Sequence, residues 1–156
     1  MRGGARILAL VAMLGVVVAA TPASALEGPV VRVVDGDTIH VRLGDRTEKV
    51  RYIGVNTPEV HHPTKGEEPG GREAAQLNGE LVAGQRVRLE LDVQSRDRYG
   101  RLLAYVWVGD TMVNAELVRR GYAQVTTVPP NVRHQALFLR LQREARAAAR
   151  GLWAGR

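Results

Sequence analysis

The stretch VVDGDTIHVRLGDRTEKVRYIGVNTPE, residues 33–59, decides the fold. Within it Ile39, Val41 and Leu43 alternate with His40 and Arg42, the period of two expected of a strand with one buried face. Gly44-Asp45 is a tight-turn signal, so this strand is predicted to reverse into residues 49–54 as a hairpin. Arg51 then lies on the face opposite Val50 and Tyr52. Upstream, residues 29–34 form a β-branched run that stops at Asp35-Gly36-Asp37.

Working outward, residues 56–71 hold Pro58, Pro63 and Pro69 with several glycines, a loop too long for mere connection and of the kind that carries function. Residues 72–83 read as a helix, with Ala74, Leu77 and Leu81 on one stripe and Gly84 as its stop. Val87, Leu89 and Leu91 mark another strand, residues 95–101 a polar turn, and residues 102–108 a strong strand. A short helix over 113–120 closes at Gly121. A longer one over 134–150 is predicted to turn Leu137, Leu141, Ala145 and Ala148 inward, with Gly151 as its cap and Trp153 packing back on the body. Five short strands with inserted and appended helices imply an α+β arrangement, a small Greek-key barrel.

The first 25 residues read as a secretory signal. Arg2 and Arg6 precede an uncharged apolar run from Ile7 to Ala20, and Ala23-Ser24-Ala25 offers small residues for cleavage. That run is shorter than the roughly 20 residues of a bilayer span. A secreted mature domain over residues 26–156, either released or held near the envelope, is therefore expected. The full chain has 156 residues, no cysteine and a formal charge of +6, which excludes disulfide frameworks, thiolate zinc sites and cysteine nucleophiles and favours an anionic partner. The charge is uneven, net acidic over residues 26–85 and most basic over 133–156, where an Arg-rich helix reads as a solvated face.

Three clusters can carry chemistry. Asp35-Gly36-Asp37-Thr38 places carboxylates on a glycine turn, where they can converge on a hard cation, although Asp-Gly is also ordinary turn chemistry. Arg51 to Glu59 brings a guanidinium, an amide oxygen and a carboxylate to one strand end, a set suited to gripping phosphate and activating water. Asp97-Arg98-Tyr99-Gly100-Arg101 supplies two guanidiniums and an aromatic face that can stack on a base.

In order and spacing together, Val-Asp-Gly-Asp-Thr (34–38), Arg51 followed by Asn56-Thr57-Pro58-Glu59, and Asp-Arg-Tyr-Gly-Arg-Leu-Leu-Ala-Tyr (97–105) resemble the staphylococcal nuclease (thermonuclease) family. The resemblance extends over residues 29–153, including Val113-Asn114-Ala115-Glu116-Leu117-Val118 and Gly151-Leu152-Trp153. It implies a five-stranded OB-fold barrel with three helices. It also implies a calcium-dependent phosphodiesterase that cleaves DNA and RNA, favours single strands and leaves 3′-phosphates. By the same resemblance Asp37, Asn56 and the Thr57 carbonyl are the Ca²⁺ ligands, and Glu59 holds or deprotonates the attacking water. Arg51 and Arg101 grip the scissile phosphate, Arg98 and Tyr99 contact substrate, and Asp35 is a supporting acid.

This chain departs from the family where Asn56 stands at a position often held by Asp. It departs again where Thr127 and Pro129 align with two tyrosines that contact nucleotide in the best-known member. An amide in place of a carboxylate lowers the charge of the cation site and so its affinity. The rival reading is a secreted OB-fold module that binds nucleic acid without cleaving it, which Asn56 and the missing tyrosines favour. The joint presence of Asp37, Glu59, Arg51 and Arg101 favours catalysis. His61 and His62 adjoin the site, but neighbouring residues seldom both reach one ion. His40, His134, Trp107 and Trp153 are expected in structural roles, and nothing indicates more than a monomer.

Overall fold

A computed structural model describes residues 26–155 apart from 61–63 and 65, so the expected signal segment and the His61-His62 pair lie outside the described residues. The alternating stretch forms two strands, β2 (Thr38–Leu43) and β3 (Arg46–Tyr52), joined by the Gly44-Asp45 turn. β1 (Leu26–Asp35) precedes them and is longer than the apolar run suggests, because its first four residues pair with a different strand. β4 (Val55–Asn56) follows β3 after a two-residue turn, α1 (Gly71–Val82) ends the long loop, and β5 (Arg86–Glu90) and β6 (Leu102–Val108) form the second half of the sheet. Then come β7 (Thr111–Met112), α2 (Val113–Arg119), β8 (Gln124–Val125), α3 (Gln135–Ala147) and a 3₁₀ turn at Gly151–Trp153.

Five of these strands run in the order β3-β2-β1-β5-β6, and a parallel pairing of β3 with β6 closes them into a barrel. The α+β OB-fold barrel with three helices is thus the observed architecture. β4, β7 and β8 are two-residue additions outside its frame. β1 serves both sides of the closure: residues 26–29 pair with β5 and residues 30–35 with β2, with the pairing slipping at Val31 and again at Val34. Such irregularities bend a strand, which a barrel of few strands requires.

The inward positions make the core. Ile39, Val41, Val50, Tyr52, Val87, Leu89, Ala104 and Val106 are all at least 95% buried, each removing apolar area worth about 1.5–3 kcal/mol for the larger side chains. Polar groups drawn into this core are paired. Asn114 on α2 accepts from the Val106 N–H at 2.9 Å and donates to the Ile53 carbonyl at 2.9 Å, which fastens the helix to the barrel. The Tyr52 hydroxyl donates to Asn78 Oδ1 at 2.7 Å, and Asn78 Nδ2 donates to the Asp35 carbonyl at 2.8 Å. That chain runs from the barrel interior through α1 to the end of β1.

α3 differs from its expected phase. Phe138 is its fully buried anchor with Ala145, while Leu137 and Leu141 are half-buried and Ala148 is exposed. The inward stripe therefore starts one residue later than the leucines suggest. The helix also ends earlier than expected, at Ala147, and Ala149 takes the left-handed turn with φ +49° before Gly151 opens the 3₁₀ turn. Trp153 does pack back, buried, beneath the Arg146 guanidinium at 4.2 Å. Its expected partner in structural duty, Trp107, donates to Glu90 Oε2 at 2.9 Å, and His134 meets Glu90 Oε1 at 3.0 Å where α3 begins.

Candidate active site

The turn between β1 and β2 sets the first cluster. Gly36 sits so close to α1 that an added Cβ would lie 2.6 Å from Thr57 Oγ1 and 2.8 Å from the Ala74 Cβ, so no larger residue fits without displacing one of them. Asp37 follows and is 95% buried. Its Oδ2 accepts the Thr57 N–H at 2.9 Å, its Oδ1 accepts the Thr38 hydroxyl at 3.1 Å, and its own N–H donates to Asp35 Oδ1 at 3.2 Å. Burial, and next the nearby Asp37 charge, push the Asp35 carboxyl up to about 6.

Arg51 projects from the outer face of β3 into this cluster. Nη1 donates to the Tyr52 and Val55 carbonyls, each at 2.8 Å; Nη2 donates to Asn56 Oδ1 at 2.9 Å and lies 3.2 Å from Asp37 Oδ2. One guanidinium therefore joins Asp37, Asn56 and the strand end through three hydrogen bonds and one ion pair. Asn56 is exposed, held in place by the short β4–β8 pairing. Glu59 is exposed too, and its backbone is clamped: its N–H donates to Glu68 Oε2 at 3.0 Å and its carbonyl accepts the Glu68 N–H at 2.9 Å.

The third cluster stands across a cavity of about 440 Å³ that Arg51 shares with Arg98, Tyr99 and Arg101. Asp97 organises it. Its Oδ1 accepts the Tyr99 and Arg101 N–H groups at 2.9 and 3.0 Å, and its Oδ2 accepts Arg101 Nε at 2.7 Å. Burial raises the Asp97 pKa, but the Arg101 guanidinium and the backbone donors outweigh it and hold the carboxyl below the ordinary range. Arg101 thus arrives with Nε fixed and with its terminal nitrogens in no hydrogen bond among the described residues. Tyr99 is 67% exposed, and the guanidiniums of Arg98 and Arg101 lie 4.7 and 5.5 Å from its ring centroid. The Arg98 guanidinium also donates to the Tyr99 hydroxyl.

Asp37, Asn56, Thr57 and Arg51 are in mutual contact or adjacent in chain, and Arg51 reaches the cavity that Arg98, Tyr99 and Arg101 line. Glu59 borders the cluster through the Asn56–Glu59 segment without a side-chain contact to it among the described residues. Thr126 and Val128 wall the cavity beside Thr127 and Pro129, so an apolar side chain, 63% exposed, offers contact where the family resemblance expects aromatic rings. Sequence reasoning missed Asp97 and Glu68 as positioning groups. Asp97 had a signal, its spacing of two and four residues from the groups it orients, but Glu68 is separated from Glu59 by a loop of no regular period.

The donors at the first cluster are oxygens only, and no three His, Cys, Asp or Glu side chains converge there or elsewhere among the described residues. The buried Asp37 carboxylate, with Asp35 beside it and the Asn56 amide and Thr57 carbonyl adjoining, makes up a set of oxygens that calcium accepts. The set fits such an ion and does not fit a thiolate or imidazole metal.

A family model described as Staphylococcal nuclease homologue matches residues 49–155. The chain is 42% identical over 122 residues to the Thermonuclease of Staphylococcus intermedius, covering 78% of this chain and 73% of that protein. It is 40% identical over 124 residues to the Thermonuclease of Staphylococcus hyicus, covering 80% and 73%. Against the Endonuclease YncB of Bacillus subtilis it is 39% identical over 124 residues, covering 78% of this chain but 59% of that longer protein. On a barrel closed in this way, with these residues at its strand ends, the chain belongs to the family of staphylococcal nuclease homologues.

Proposed function

We propose that this protein is a secreted, calcium-dependent nuclease that hydrolyses phosphodiester bonds of DNA and RNA, favours single strands and leaves 3′-phosphates. The observation that carries the reading is the juxtaposition of Arg51, tied to Asp37 and Asn56, with Arg101 across one cavity. Thermonuclease and endonuclease relatives at 39–42% identity support it.

Asp37, the Asn56 amide oxygen and the Thr57 carbonyl would hold Ca²⁺, which when bound supplies positive charge beside the reacting phosphoryl group. The protein's own residues do the rest. Arg101, fixed through Nε by Asp97, presents its free terminal nitrogens to the equatorial oxygens, where negative charge grows in the transition state. Arg51 joins it once Nη2 exchanges Asn56 and Asp37 for phosphate oxygen. Glu59, an exposed carboxylate on a clamped backbone, takes the proton of the attacking water. Tyr99, between two guanidiniums, offers the edge of the cavity to a base or sugar. No described helix is long and apolar enough to cross a membrane. The test is cleavage of heat-denatured DNA and of RNA by the purified chain with Ca²⁺, then with a calcium chelator, with the product ends identified. Calcium-restored cleavage to 3′-phosphates is expected, and cleavage indifferent to the chelator would overturn the assignment.

A further inference from the structure

The outer faces of β1, β2 and β3 are ordered in rows by strand register. One row is Asp35, Thr38 and Arg51, which belongs to the site described above. The next outward-facing row, two residues along β2 and β3 and three along β1, whose pairing slips between Val33 and Asp35, is Arg32, His40 and Lys49. Rows on one face of a sheet lie about 6.8 Å apart and neighbours within a row about 4.8 Å apart. Three basic side chains are thus locked side by side, one step from the candidate scissile position. Beyond them on the same face comes Arg42, opposite Thr47.

Among the described residues no carboxylate is ion-paired with the row. Arg32 and Lys49 are exposed and form no ion pair among the described residues. Glu48 on the same strand faces the other way, where Arg96 holds it at 2.9 Å. Asp35 pairs with Thr38 at the site end of these strands, and Asp45 is in the exposed turn at the other end of the β2–β3 hairpin. His40 registers the crowding: burial first, then the charges of Arg32 and Lys49, push its pKa down. Arg32 and Lys49 flank His40 from its two neighbouring strands, so an anion lying along the row would meet positive charge on both sides of it. In an OB-fold this face, outside the second and third strands, is where oligonucleotides lie.

We propose that the row Arg32, His40 and Lys49 is a binding site for backbone phosphates of a single-stranded polynucleotide, next to the strand segment held at Arg51. This rests on the nuclease reading for its substrate, but the site itself requires only that the strand binds. Each phosphate it neutralises adds to affinity without reading sequence, and it extends the grip to nucleotides flanking the one cleaved.

The test is binding of a fluorescently labelled oligothymidylate, measured by anisotropy in a calcium chelator over a range of salt concentrations. The double variant Arg32→Ala/Lys49→Ala is compared with Arg140→Ala/Arg143→Ala, which removes the same charge from the exposed side of α3. The row variant is expected to bind about tenfold more weakly at low salt, with a log–log salt slope shallower by about 1.4 for two lost contacts, and the α3 variant to match the unaltered protein. With Ca²⁺ restored, the ratio of kcat/KM on the long strand to that on a dinucleotide should fall by a similar factor. An unchanged slope in the row variant, or an equal loss in the α3 variant, overturns the proposal. If the unaltered chain cleaves nothing while the row variant still loses binding, the row stands and the nuclease reading falls.

Discussion

Arg51 donates to two backbone carbonyls and to Asn56 and forms an ion pair with Asp37, so in the free protein it works as the tie of the site. That was not legible in the sequence, where Arg51 reads as a phosphate grip; the short turn that brings Val55 and Asn56 back over it has no pattern of its own. The identity of the cluster was legible, because Asp37 and Arg51 sit at strand ends that period-two alternation locates and Asn56 stands in the Asn-Thr-Pro-Glu motif that carries the family resemblance. Asn56 is the departure with a measurable consequence. Asn56→Asp adds a charged oxygen to the cation site and is expected to lower the Ca²⁺ concentration for half-maximal cleavage, on the order of tenfold, in a calcium titration of activity. Asp97 acts only through Arg101. Asp97→Ala should lower kcat/KM up to about 100-fold by letting the guanidinium drift, and adding it to Arg101→Ala should cost nothing further. Additive losses in steady-state kinetics would mean that Asp97 has a separate role.

The strands were readable because each buries one face, whereas β4 and β8, two residues each, exist only through their pairing with one another. The third helix shows how a pattern can mislead. Leucines 137 and 141 suggest one stripe, but Phe138 is the side chain that fills the space over Gly54, where an added Cβ would lie 2.8 Å from its ring. Phe138→Ala should therefore cost about 3–5 kcal/mol in urea unfolding, far more than truncating either half-buried leucine. On α2, Glu116 pairs with Arg119 and Arg120 at 2.5 and 2.6 Å. The hydrogen bonds from Arg119 outweigh its burial and, with those from Arg120, draw its carboxyl down from 4.5 to about 2. The unfolded chain then binds more protons than the folded one between these values, so this stabilisation is present above pH 4.5 and lost as pH falls toward 2. Glu116→Gln should melt lower than the parent at pH 7, and the two melting curves should converge as pH is lowered through that window.

For the whole molecule, barrel closure is what turns three separated sequence clusters into one site. The parallel pairing of β3 with β6 sets Arg51 opposite Leu103, two residues beyond Arg101, so guanidiniums fifty residues apart share a cavity. Sequence order and spacing conveyed that the clusters belong together; they did not convey that a basic face on β1–β3 continues from them, since register across strands is a property of the folded sheet. The central claim, that this assembly hydrolyses phosphodiester bonds, is tested most directly by single-turnover cleavage of single-stranded DNA with Ca²⁺, comparing the unaltered chain with Glu59→Gln, and with strand binding measured in parallel. Glu59 is exposed and its backbone supplies the clamp to Glu68, so the variant should fold and bind normally while its cleavage rate falls about 10²–10⁴-fold. Full cleavage by Glu59→Gln, or binding without cleavage by the unaltered protein, would contradict it.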